Sequence, residues 1–346
     1  MLRRHWWYAC IAAFFATADG FIAHKAGGRF QDRAVPVNAA SSSVTTSDVF
    51  SLESIRSTLV RQEETIIFAL IERAQYRTNR VIYEKAFSPL DNAPFLEFML
   101  KETEKLHAKV RRYTSPEEHP FFPEHLPALI LPELKFPSLL VSEKSSVDVN
   151  SEVMSWYVNR IIDRLCLTGD DEQHGSSVLC DIAAMQALSR RVHYGKFVAE
   201  SKFLGDSELY TELVKRGDVA SILNLLTNVE VERRVLRRAF VKASTYGQDI
   251  TGTTEGYKVE PQLIADIYRD MIIPLTKDVE VRYLFRRCGH APPPAATYFD
   301  LCAGPRDAFD DPAWLSEMTV PKTLAARPTY KRSEGRDPWD NPRWEG

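Results

Sequence analysis

The chain has 346 residues, of which 44% are hydrophobic and 26% are charged, an ordinary globular composition with room for one large domain or two of average size. Its formal net charge of −3 argues against a basic surface field of the kind that holds nucleic acid. The five cysteines show no metal-ligand spacing, so we expect free thiols and no metal site; they are Cys10, Cys166, Cys180, Cys288 and Cys302.

Residues 1–20 have the pattern of a signal peptide. Arg3 and Arg4 precede an apolar run over residues 6–16 that is too short to span a bilayer as a mature helix, and small residues follow it. Residues 21–48 are basic and rich in Ser and Thr, as transit peptides are. This two-part leader resembles those of algae with complex plastids and predicts a plastid protein. The alternatives are a secreted protein with an N-terminal linker, or a cytoplasmic protein if the leader does not function.

Helical periodicity extends over residues 49–288, which we interpret as one domain. Apolar residues recur at three- and four-residue steps, beginning near Leu52. This spacing predicts helices over residues 52–70, 96–110, 151–166, 181–203, 207–215, 218–226, 228–246 and 261–287. Pro261 suits the first turn of the last helix, whereas Pro274 should kink or restart it. No alternating run is long enough for a convincing strand, so the sequence predicts an all-α, multi-helix fold.

Three kinds of segment are predicted to lack regular helix. Six prolines fall between Tyr113 and Leu140, a density that no helix tolerates, so a long ordered loop or a set of turns is expected there. Turns are also predicted at residues 175–177 and 246–248. Residues 289–346 are rich in Pro, Asp and Arg, and we expect an irregular C-terminal extension without chemistry of its own.

The predicted helix over residues 181–203 carries two cations on its apolar stripe. Arg191 and Lys202 are eleven residues apart, which leaves them about 20° out of phase after three turns. Both therefore fall on the side that should be buried. Because an unpaired buried cation costs several kcal/mol of folding free energy, either a protein carboxylate or an anionic ligand must pair with each of them. Gly195 lies between the two and leaves room for a close approach to the helix.

The last predicted helix places an acid in the same kind of position. Glu280 follows Thr276 by one turn on an apolar stripe, where desolvation should raise its carboxyl pKa until it can donate a hydrogen bond near neutral pH. Asn228 and Glu232 form a weaker candidate pair, since a solvated surface explains them equally well. Judged by its own position in the sequence, Arg56 has the pattern of a surface arginine. Periodicity thus predicts a pocket for a compact anion, in an enzyme or in an anion-sensing module.

The segments around these residues resemble the yeast- and plant-type chorismate mutases. Matching stretches include SPEEHPFFP at 115–123, RVHYGKFVAESKF at 191–203 and IIPLTKDVEV at 272–281, and the resemblance covers about residues 49–287. It implies an all-helical homodimer that converts chorismate to prephenate in phenylalanine and tyrosine biosynthesis. That reaction is a concerted Claisen rearrangement, which requires no nucleophile, metal or cofactor.

Four residues match the family's catalytic positions: Arg56, Arg191, Lys202 and Glu280. The resemblance implies that Arg56 and Arg191 clamp the two substrate carboxylates, for which the planar guanidinium is suited. Lys202 and protonated Glu280 would donate to the ether oxygen, where negative charge gathers in the transition state.

Three further residues match the family's substrate-binding positions: Asn228, Glu232 and Thr276. The resemblance implies that Glu232, with the region of Asn228, binds the ring hydroxyl and orients the ring. Thr276 would support one carboxylate or the neighbouring Glu280. Together with the catalytic residues they would hold the substrate in its less favoured, reactive conformer.

The resemblance also implies a site for an aromatic amino-acid effector, Tyr, Trp or Phe, at the dimer interface. It falls on Arg111 and Arg112 of one subunit and on Gly175 and Ser176 of the other. The match is partial, because the yeast pattern has asparagine and threonine where this chain has Gln173 and Leu179. The effector and the sign of its effect therefore stay open, and the alternative is that the two arginines are plain surface or interface charges.

Three functional hypotheses are consistent with the sequence. The first is a plastid biosynthetic enzyme, and the second is a secreted mutase that diverts another organism's chorismate; only the leader separates them. The third is a non-catalytic helical anion-binding module, which is disfavoured because every implied pocket side chain is present. The sequence contains no GxGxxG or phosphate-loop motif that would favour a different activity.

Overall fold

The structure, a computed structural model, describes residues 52–85, 93–132, 140, 147–248 and 256–303, with side chains described from Ile55 onward. The predicted leader, both 1–20 and 21–48, lies outside these residues, as does most of the C-terminal extension. Every regular element within the described ranges is helical, and the β-bridge between Gln248 and Tyr257 is isolated. The all-α prediction is confirmed. Among the described helices, none combines the length and apolar character that crossing a bilayer requires.

The α-helices follow the predicted order along the chain. They are α1 (Leu52–Arg73), α2 (Phe95–Lys109), α3 (Asn150–Trp156), α4 (Ile162–Leu165), α5 (His174–His193), α6 (Gly195–Gly205), α7 (Ser207–Arg216), α8 (Val219–Leu226), α9 (Val229–Tyr246), α10 (Pro261–Ile267), α11 (Ile273–Arg287) and α12 (Phe299–Cys302). Asp206, Asp218 and Asn228 begin α7, α8 and α9 as N-caps, since each side chain accepts a hydrogen bond from the backbone N–H three residues later. Gly217 ends α7 with φ 68°, a conformation that glycine adopts without steric cost.

Two details differ from the sequence prediction. The prediction of a turn at residues 175–177 is wrong, because α5 begins at His174 and these residues form its first helical turn. Short hydroxyl side chains suit a first helical turn as well as a loop. The helix expected over residues 181–203 is divided at Tyr194 into α5 and α6. The division lies next to Gly195, where the backbone packs tightly against α11.

The central helix of the fold is α11, which packs against α5, α6 and α8. It continues α10 through a π-helical turn, Tyr268–Ile272. Pro274 lies in the first turn of α11, directly after this π turn, so the irregular hydrogen bonding falls where the missing N–H of proline is tolerated. Helix α1 packs against α5 and α9 on another side of the core.

A buried ion pair fixes α1 against α5. Arg73 Nε lies 2.6 Å from Asp181 Oδ1, and both side chains are fully buried. The hydroxyls of Tyr83 and Tyr157 donate to the same carboxylate at 2.8 and 2.9 Å. Since hydrogen bonds offset the cost of desolvating these charges, the pair specifies the alignment of α5, the helix that carries Arg191.

The C-terminal extension begins as part of the packed body. Residues 295–303 form a 3-10 turn and helix α12 rather than irregular chain, because Tyr298 and Cys302 are buried in the hydrophobic core. Within the proline-rich segment, the described residues form two 3-10 turns, Arg112–Thr114 and Pro123–His125.

Candidate active site

Helices α5, α6 and α11 converge where α6 begins. Gly195 packs so closely on α11 that a Cβ placed there would lie 2.9 Å from the backbone oxygen of Thr276, 3.0 Å from its Cγ2 and 3.4 Å from Glu280 Cγ. The absent side chain therefore lets α11 approach the helix pair that carries both predicted cations.

Arg191 extends from α5 into this convergence and is only 6% exposed. Its Nη1 donates a hydrogen bond to Thr276 Oγ1 at 3.4 Å, and its Nε has no partner among the described residues. Burial lowers the pKa of Arg191, against the opposing influence of Tyr268, Glu63 and Glu280. Because a guanidinium stays charged even so, the site holds a buried cation with unused donor capacity.

Lys202 and Glu280 form the second part of the site. Lys202 Nζ lies 3.8 Å from Glu280 Oε2 and donates to the carbonyl oxygen of Leu226 at 2.5 Å. Glu280 is buried, and its Oε2 has no hydrogen-bond partner among the residues that the structure describes. Desolvation raises the pKa of Glu280, although Lys202 and Lys277 act in the opposite direction. Desolvation is the largest of these influences, so this buried acid beside an ammonium group is harder to ionise than a free carboxylic acid.

Glu232 is held by a residue that the sequence reasoning missed. Its Oε1 lies 2.8 Å from Lys277 Nζ, in a pair whose lysine side chain is 5% exposed. Lys277 follows Ile273 by four residues on a buried helix, so the same stripe argument that singled out Glu280 could have found it. Asn228 is exposed, and its Oδ1 caps α9 by accepting from Val231 N at 3.1 Å.

A second missed group lies near Arg191. Glu63, on α1, is 1% exposed and accepts hydrogen bonds from Arg238 at 2.7 and 2.5 Å, with Lys242 Nζ at 3.3 Å. The hydroxyl of Tyr268 is also buried and has no hydrogen-bond partner within the described ranges. Glu63 falls on the apolar stripe of α1, which was the available sequence signal.

The structure brings together four of the seven predicted pocket residues, namely Arg191, Lys202, Thr276 and Glu280. Glu232 joins them through its ion pair with Lys277, whose charge also acts on Glu280. Arg56 is exposed in the second turn of α1, and Asn228 is exposed at the start of α9.

The predicted effector residues lie in two separate parts of the chain. Arg111 has φ 73° and donates to a backbone carbonyl, and Arg112 Nε donates to Glu118 Oε2 at 3.1 Å. Gly175 and Ser176 form the first turn of α5.

The buried cluster suits one kind of chemistry. Guanidinium and ammonium groups bind anionic oxygens, and in a site of low dielectric their effect on developing negative charge is much larger than in water. Among the described residues, no group of three or more His, Cys, Asp or Glu side chains has a geometry that could hold a metal ion.

Comparison with known proteins identifies relatives that cover most of this chain. The family model for chorismate mutase type II matches residues 176–281. The chloroplastic chorismate mutase 3 of Arabidopsis thaliana is 45% identical over 249 residues, which is 70% of this chain and 79% of the relative.

Two solved structures have the same fold. A Candida albicans chorismate mutase in complex with L-Trp is 44% identical, with a TM-score of 0.68 over 71% of this chain and 94% of that one. AtCM1 with tyrosine bound in its allosteric site is 42% identical, with a TM-score of 0.64 over 72% of this chain and 98% of that one.

Proposed function

Because this chain belongs to the chorismate mutase family, we propose that the pocket between α5, α6 and α11 is its active site, where the enzyme acts as an isomerase on chorismate. The single observation that carries this proposal is the convergence of the buried Arg191 and Glu280 with the partly exposed Lys202, whose ammonium lies 3.8 Å from Glu280. We place the catalytic domain at residues 49–288.

The reaction defines what the pocket must do. In chorismate, the ether C–O bond breaks as a new C–C bond forms within the same molecule, so no atom enters or leaves. The protein must hold the substrate in the reactive conformer and stabilise the negative charge that gathers on the ether oxygen. Even modest enzymatic acceleration requires lowering the barrier by about 8 kcal/mol.

The converging residues would meet both requirements. Arg191 would clamp one carboxylate with the donors that its neighbours leave unused, and Thr276 would fix that arginine through the 3.4 Å contact. Lys202 and protonated Glu280 would donate to the ether oxygen. The surrounding helices bury Arg191 and Glu280, and this burial strengthens their electrostatic interactions.

The remaining residues would complete substrate binding at the more exposed side. Arg56 would clamp the second carboxylate from α1. Glu232 would accept a hydrogen bond from the ring hydroxyl, oriented by its ion pair with Lys277, and Asn228 would act beside it, in addition to capping α9.

The direct test is an assay of the purified full chain with chorismate, with prephenate as the measured product. Arg191→Ala should lower kcat/KM by a factor on the order of a hundred or more, whereas Arg190→Ala, at the adjacent residue that pairs with Glu118 instead, should retain most activity. Prephenate formation that does not respond to Arg191→Ala would contradict the site, and binding of chorismate without turnover would favour the anion-binding module.

The protonation of Glu280 has its own test. Since its folded-state pKa is raised, activity should be present at lower pH and fall as pH rises through that pKa. Glu280→Gln, which keeps a donor but cannot ionise, should remove this dependence while retaining activity. An unchanged pH profile in the variant would contradict the assigned role.

Regulation and assembly form a second part of the proposal. The relative AtCM1 binds tyrosine in an allosteric site, and we propose that Arg111 and Arg112 of one subunit, with Gly175 and Ser176 of the other, form an aromatic amino-acid site here. Several exposed apolar side chains near these residues in sequence support a homodimer: Leu106, Val110, Ile130, Leu131 and Leu179. The effector site is tested by measuring activity with added Tyr, Trp or Phe, and the homodimer is tested by measuring the molar mass in solution. A monomer whose activity responds to none of the three amino acids would refute both proposals.

The cellular location rests on the leader and on the chloroplastic relative. We propose import into a plastid through residues 1–20 and 21–48. A fluorescent fusion of residues 1–48 should accumulate in plastids, and secretion of the fusion would favour the mutase that acts outside the cell.

A further inference from the structure

The C-terminal segment, residues 295–303, joins two helices that frame the active site. Its helix α12 contacts α11, which carries Thr276 and Glu280, and also α8, which ends at Leu226. The carbonyl oxygen of Leu226 is the acceptor for Lys202 Nζ. The segment therefore touches both the helix of the acid and the helix that anchors the ammonium group.

Tyr298 anchors the segment to α11. Its hydroxyl donates to Asp278 Oδ1 at 2.6 Å, in a contact where Tyr298 is 3% exposed and Asp278 is fully buried. Arg282 donates to the same carboxylate at 3.0 Å and pairs with Glu152 on α3 at 3.1 Å. Asp278 is two residues from Glu280, so it points to a different side of α11, about 200° around the helix.

Cys302 brings the other end of the segment within electrostatic range of the site. Burial raises the pKa of its thiol to about 12, with further upward effects from Asp278 and Glu280 and a downward effect from Lys277. Cys302 is fully buried, and its helix, α12, packs against α11. Displacing it would disturb the packing of the catalytic helix.

We propose that Tyr298 is a positioning residue for the rearrangement, holding α11 against α8 through residues 295–303 so that Glu280 and Lys202 stay in register. The inference rests on the proposed roles of Glu280 and Lys202. It differs from the sequence expectation, which gave the C-terminal extension no part in the chemistry.

The predicted signature is a change in the environment of Glu280. If α11 shifts, water reaches its carboxyl group and the desolvation that raises its pKa is reduced. The basic limb of the pH–activity profile, where activity is lost as pH rises, should then move to lower pH. The charged and titratable groups that act on this carboxyl are Lys202, Lys277, Glu232, Arg191, Tyr210 and Cys302.

The experiment compares Tyr298→Phe with a matched control, Tyr157→Phe, in the full chain. The Tyr157 hydroxyl also donates to a buried aspartate that pairs with an arginine, namely Asp181. The acceptor of this control, Asp181, lies ten residues before Arg191 on α5, about 15 Å away along the helix axis. Each variant is checked by thermal melting and then assayed for prephenate formation across pH.

Tyr298→Phe should lower kcat about three- to tenfold with little change in KM, and it should move the basic limb to lower pH. Tyr157→Phe should lower Tm and leave the limb in place. Cys302→Ala, a second variant in the segment, should move the limb in the same direction if Tyr298→Phe does not fold. An unmoved limb in both segment variants, or equal shifts in the control, would overturn the proposal.

Glu280→Gln belongs in the same series because it separates two failures. If Glu280→Gln loses the basic limb, the role of Glu280 is supported. The shift of the basic limb in Tyr298→Phe then decides whether Tyr298 is a positioning residue. If Glu280→Gln keeps the limb, the assignment of Glu280 itself is refuted, and the positioning role of Tyr298 is refuted with it.

Discussion

The contact between Gly195 and α11 gives a prediction whose size follows from the structure. In Gly195→Ala the new Cβ would lie 2.9 Å from the backbone oxygen of Thr276. Since optimal non-bonded contacts of carbon begin at about 3.5 Å, α6 and α11 would have to separate by roughly 0.6 Å. A backbone oxygen in the middle of a packed helix cannot move aside as a flexible side chain could.

Two measurable effects should follow from this separation. Overpacking of a dense core costs about 1–3 kcal/mol, which should lower Tm by about 2–12 °C for a domain of this size. The same shift moves Thr276 and Glu280 relative to Lys202, and since a misplacement of about 1 Å can cost a hundredfold in rate, a loss on the order of tenfold in kcat is expected.

Gly205→Ala is the matched control on the same helix. A Cβ at Gly205 meets nothing within 4 Å, so this variant should be as active as the natural chain and slightly more stable, by about 0.4–1 kcal/mol. Thermal melting and steady-state kinetics on both variants provide the comparison. If Gly195→Ala matched Gly205→Ala in Tm and kcat, the close approach of α11 would have no role in the site.

Three further predictions concern other buried or capping groups. Asp181→Asn breaks the buried pair with Arg73 and should cost about 3–5 kcal/mol in chemical denaturation; a loss below 1 kcal/mol would contradict the structural role. Burial raises the pKa of Glu104 to about 7, so its contribution to stability is present at low pH and lost as pH rises through that value; Glu104→Gln should flatten this part of the stability profile, and an unchanged slope would refute the shift. Asn228→Ser keeps an N-cap for α9, so Tm should be retained while KM rises if Asn228 contacts substrate, and an unchanged KM would leave it with the cap alone.

Residues on apolar stripes were predictable from sequence because burial imposes a helical period on the chain. Arg191, Lys202 and Glu280 interrupt that period, and the structure brings all three together, with Arg191 and Glu280 buried and Lys202 partly exposed. Lys277 and Glu63 interrupt it as well and could have been found in the same way.

Other features depend on long-range packing that no local pattern contains. The helix expected over residues 181–203 is divided at Tyr194, beside the tight packing of Gly195 on α11. The spacing of Arg191 and Lys202 along the chain contains no information about this packing. The docking of Tyr298 required knowing that Asp278 would lie opposite it, 20 residues away along the chain. Residues 175–177 were assigned to a turn because Gly and Ser suit both a loop and a first helical turn, and only the packing of α5 decides between them.

The charges in the site give a physical reason for a neutral Glu280. Lys277 and Glu232 neutralise each other at 2.8 Å, which leaves Arg191 and Lys202 as cations facing Glu280. If Glu280 were ionised, it would cancel one of them and repel an incoming dianion. In the proposed arrangement, a protonated Glu280 would preserve both positive charges, with Arg191 free to bind a carboxylate and Lys202 to donate to the ether oxygen, and Glu280 would contribute a second donor to that oxygen. The burial that makes this acid costly to ionise is therefore the property that would match the proposed pocket to a dianionic substrate.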